Sequence, residues 1–109
     1  MSDLFKLREQ RAQCMRDIEN AQKLSRLCAL RDWQDLMEQG FLQEACAKAV
    51  HDSVNPALEE RAKNHAMDMA RAAGFLHLYL ENIENQGQRA KESLPQLQAA
   101  MDAAQAEVL

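Results

Sequence analysis

Glycine and proline are scarce in this chain: 3 Gly and 2 Pro in 109 residues. Sandwiches and barrels need many tight turns built from such residues, so those folds are excluded. No apolar run approaches the roughly 18 residues of a membrane span. A basic excess is also lacking. Lys and Arg number 13 against 17 Asp and Glu, a net charge of -4, which argues against a general nucleic-acid binder. Met1-Ser2-Asp3 has neither a basic n-region nor an apolar h-region, so the sequence reads as not secreted. The three cysteines, Cys14, Cys28 and Cys46, are an odd number without a CxxC pair. They read as reduced core-side thiols rather than a disulfide framework.

What remains is 47% apolar and 28% charged residues, the composition of a globular chain. Its apolar positions recur at steps of three and four, so the expected fold class is all-α. The expected architecture is a single helical domain over 1–109, a small bundle of four to five helices. Over 3–28, Leu4, Leu7, Cys14, Ile18, Ala21, Leu24 and Cys28 form one stripe, broken by Arg11. Ser2 or Asp3 is placed to cap this long amphipathic helix. The stripe is too thin for a core centre but needs a partner surface. Leu4, Leu7, Cys14, Ile18, Ala21 and Leu24 are therefore the candidate interaction residues, and 1–28 a candidate assembly arm. The rival placement packs this helix on the chain's own long helix.

Leu30, Trp33, Leu36 and Met37 mark a second, short helix that Gly40 closes, with Asp32 as its cap. Phe41, Leu42, Ala45, Cys46, Ala49 and Val50 mark a third, from about 41 to 53. Asn55-Pro56 then offers an N-cap followed by a residue suited to the first helical turn. The central helix is expected from 56 to about 86, with Ala62, Ala66, Met69, Ala73, Leu76, Leu80 and Ile83 on its main stripe. Phe75, Leu78 and Tyr79 widen that stripe, which makes the middle of this helix the expected centre of the bundle. Gly74, with Ala70 and Ala73, offers a small-residue patch for close helix approach. Gly87 ends or bends the helix, and Leu94-Pro95 marks a second break. The tail 95–109, with Leu97, Ala100, Met101, Ala104 and Val108 on one side, is a fifth helix that docks or frays.

Chemistry is hard to find. A helical di-metal centre uses Glu-x-x-His, but His51, His65 and His77 follow Lys48, Ala62 and Gly74 at that spacing. His77 and Glu81 could form half a site, although an ordinary side-chain pair explains them better. Asp52-Ser53-Val54 echoes the attachment triplet of acyl carriers, yet it closes a helix where the carrier serine opens one. Nucleophile elbows, phosphate loops and zinc helices are missing. The reading is a non-enzymatic protein with no catalytic residues, no metal, no cofactor, no small-molecule ligand and no membrane partner. Charge is uneven: residues 1–32 carry 7 basic and 5 acidic side chains, and 33–109 carry 6 and 12. Opposite local charge can orient the assembly of like subunits.

One stretch has a recognisable order. It runs Trp33-x-x-Leu36-Met37-x-x-Gly40-Phe41, then Glu44-Ala45-Cys46, then Asn55-Pro56-Ala57-Leu58. It closes with Phe75-Leu76-x-x-Tyr79-Leu80-x-x-Ile83 and Gly87-x-x-Ala90. This order resembles small all-helical proteins that tailed bacteriophages encode near their head and packaging genes. The resemblance covers about half the chain and carries no functional residue. It implies a structural or assembly protein located in the virion or the host cytoplasm. Its implied partners are itself, as a homo-oligomer, or other virion proteins. The alternative is a phage regulator that binds and inhibits a host protein.

Overall fold

The computed structural model describes residues 2–108, and the side chains of residues 3–107. The expected Ser2 cap and the Val108 end of the tail stripe lie outside them, as does Leu109. The described residues are all-helical and contain no strand. They form three helices rather than the expected four to five. We label these α1 (Ser2–Cys28), α2 (31–53) and α3 (Glu60–Val108).

The excess breaks in the sequence reading have physical explanations. Gly40 does not close a helix. Instead α2 runs through it, starting as Arg31–Trp33, widening to a π-helix over Gln34–Ala45 and narrowing again over Cys46–Ser53. At the end of the wide segment the Cys46 N–H donates to the Phe41 carbonyl, five residues back. Such windings are mostly single turns, so twelve residues call for a cause. Trp33, Met37, Phe41 and Ala45 are all half-buried and recur every fourth residue. An α-helix turns about 100° per residue, so three such steps would rotate the side chains about 120° off the seam. A wider turn keeps them facing inward. Gly40 fits this widened backbone, because a Cβ there would sit 3.0 Å from the Asp35 carbonyl oxygen. Asp32 makes no capping hydrogen bond at the start of α2. Gln34 does related work instead, its Nε2 donating at 2.7 Å to the Cys28 carbonyl at the end of α1.

Asn55-Pro56 starts a turn, not a helix. Asn55 Oδ1 accepts the Ala57 N–H at 2.9 Å, the side-chain turn that Asn favours, and α3 begins only at Glu60. The expected central helix of 56–86 and the separate tail helix of 95–109 are one helix of 49 residues. Neither Gly87 nor Pro95 interrupts it. The reason is an unbroken alternation of four- and three-residue steps: Ala62, Ala66, Met69, Ala73, Leu76, Leu80, Ile83, Gly87, Ala90, Leu94, Leu97, Met101, Ala104. A seam of this kind over many heptads specifies one long helix with one face to cover. From Leu76 to Ala104 every seam residue is buried or half-buried. That coverage outweighs the roughly 3 kcal/mol that an interior proline costs.

The chain divides into two compact units. Unit one joins α1 as far as Leu24 to the part of α3 from Asn82 onward, and unit two spans Ser25–Glu81. In unit one, α1 and the second half of α3 are antiparallel. Arg11 Nε donates to Gln98 Oε1 at 3.1 Å, while Ala21 lies against Gly87. Rising α1 numbers therefore meet falling α3 numbers. In unit two the short connection of 54–59 folds the first half of α3 beside α2 as a helical hairpin.

Candidate interaction surfaces

The six candidate residues of α1 lie on its inward side. Leu24 is buried, and Leu4, Leu7, Cys14, Ile18 and Ala21 are half-buried. Ala21 faces Gly87, which has the tightest surroundings of any glycine in the chain. A Cβ on Gly87 would overlap the Ala21 Cβ and sit 3.3 Å from the Asp17 carbonyl oxygen. Gly87 thus lets two backbones approach closely, and small residues at such a crossing are the usual means. Cys14 borders a shallow groove shared with Ser93, Gln96 and Leu97, and Ile18 borders one shared with Leu94 and Pro95. In unit one this stripe is directed at the chain's own α3 half.

Arg11, the polar interruption of the stripe, is half-buried and makes the hydrogen bond to Gln98 across the helix pair. Gln98 in turn donates from Nε2 to Asp102 Oδ1 at 3.1 Å. A polar residue within an apolar seam specifies register at some cost in stability. The cation therefore aligns the two helices.

Unit two differs in what it leaves outside. Leu30, Leu36 and Val50 were expected on the inner side of their helices and are exposed, Leu36 at 73%. Gly74 was expected to admit a neighbouring helix, but a Cβ there would meet nothing within 4 Å. Phe75, Leu78 and Tyr79 were expected at the centre and are 68%, 53% and 63% exposed. Ala73, two residues before Phe75, is only 2% exposed. The helix here buries its small face and presents its large one. A groove of about 420 Å³ runs between Lys48, Ala49 and Asp52 of α2 and Ala62, His65 and Met69 of α3. Trp33 carries the one buried side-chain nitrogen, Nε1, without a hydrogen-bond partner among the described residues.

Charged side chains pair locally. Lys23–Glu19, Arg31–Asp35, Lys48–Asp52, Lys63–Glu60 and Arg71–Asp68 lie 3.5–3.8 Å apart, one helical turn from each other. The expected half-site of His77 and Glu81 is a pair of this kind at 3.6 Å. Pairs on an exposed helix face contribute a few tenths of a kcal/mol at most. None of them ties one helix to another. Among the described residues no three of His, Cys, Asp and Glu come together as a metal site, and no helix is long and apolar enough to cross a membrane. Cys14, Cys28 and Cys46 are half-buried and form no disulfide.

Among the described residues, large apolar side chains stand on exposed helix faces, chiefly in unit two. Comparison with protein-family models, curated proteins and solved structures gave no match.

Proposed function

We propose that this chain is a non-enzymatic structural or assembly protein, of the kind tailed bacteriophages encode, working as an oligomer through helix–helix contacts. One observation carries the reading: among the described residues the buried apolar set is Leu24, Ala49, Ala66, Ala73 and Ala90, four of the five being alanine, whereas twelve large apolar side chains are exposed. Scattered single apolar residues on a surface have no meaning of their own. Large ones adjacent on one helix face mark a surface that another chain covers.

The resemblance to phage head-region proteins supplies the biological setting, and the unpartnered surface supplies the mode of action. Two measurements test the two parts. Light scattering on the purified chain should give a mass at least twice 12.4 kDa; a monomer at high concentration rejects self-assembly. Mass spectrometry of purified phage particles should find the chain at a fixed copy number. Its enrichment on one host protein instead would favour the regulator that inhibits a host target.

A further inference from the structure

We draw no further inference here: the strongest candidate, the exposed apolar face of α3 around Phe75, Leu78 and Tyr79 in unit two, carries nothing, since nothing in the structure shows what covers it.

Discussion

The two units of this protein have nearly equal length and opposite surfaces. Unit one, α1 as far as Leu24 with α3 from Asn82 onward, exposes two large apolar side chains among those described, Phe5 and Met15. Unit two, residues 25–81, exposes the other ten. Both are built from helices with apolar residues at helical spacing, so overall apolarity does not explain the contrast. Placement around the helix does. In unit one the apolar residues keep to one seam that the antiparallel partner helix faces. In unit two α3 carries apolar residues on both sides, and one neighbouring helix covers only one of them. A helix apolar nearly all round needs neighbours on more than one side. The comparison teaches that unit one turns its large apolar side chains toward its own partner helix, whereas unit two leaves many of them outside.

The largest expected effect that sharpens this contrast is at Leu24. It is the one large apolar side chain among the buried residues, at 6% exposure. Leu24→Ala should lower stability by about 2–5 kcal/mol, as emptying a core site does. Leu36→Ala, at an exposed site of unit two, should stay within about 0.5 kcal/mol. Urea unfolding of the two variants measures both, and equal losses would erase the distinction between the units.

Next in size is Pro95. It lies inside α3 on the exposed side, and its ring removes the hydrogen bond to the Lys91 carbonyl. Pro95→Ala restores that bond and should raise stability by up to about 3 kcal/mol. A rise in Tm is expected by calorimetry. A fall would show that the proline is needed where it lines the groove with Arg11 and Ile18.

The smallest and most pointed test compares two glycines of one helix. Gly87→Ala drives a methyl group into Ala21 and should lower stability by about 1–3 kcal/mol, the cost of overpacking. Gly74→Ala meets nothing and should raise stability by about 1 kcal/mol through helix propensity alone. Chemical denaturation of both variants should therefore give opposite signs. Matching signs would mean that unit one is not closely packed at residue 87.

Much of this was legible before the structure. Step-of-three-and-four spacing announced an all-helical chain, and the α1 stripe showed which side of that helix faces inward. Of the seven stripe residues expected on the long helix, Ala66, Ala73, Leu76, Leu80 and Ile83 lie on the inner seam of α3, while Ala62 and Met69 are exposed. Gly40, Gly87 and Pro95 misled, because isolated glycines and prolines are read as punctuation. The seam itself ran through Gly87 and Leu94 without missing a step, a signal that spoke against any break. Likewise the four-residue recurrence of Trp33, Met37, Phe41 and Ala45 was a trace of the widened α2. Nothing local distinguished the two apolar sides of α3 around residue 75.

The sequence by itself determined the helical class and most of the stripes, because a helix is a local structure whose hydrogen bonds span four or five residues; where the helices end was not legible in it. Only the tertiary structure decided which stripe would be covered. Covering depends on which helix returns alongside and how near it can come. In this chain the small residues accept that close approach: Ala21 on Gly87, and Ala73 on the buried side of unit two. The large residues Phe75, Leu78 and Tyr79 are left on the far side because two backbones pack closest where side chains are smallest.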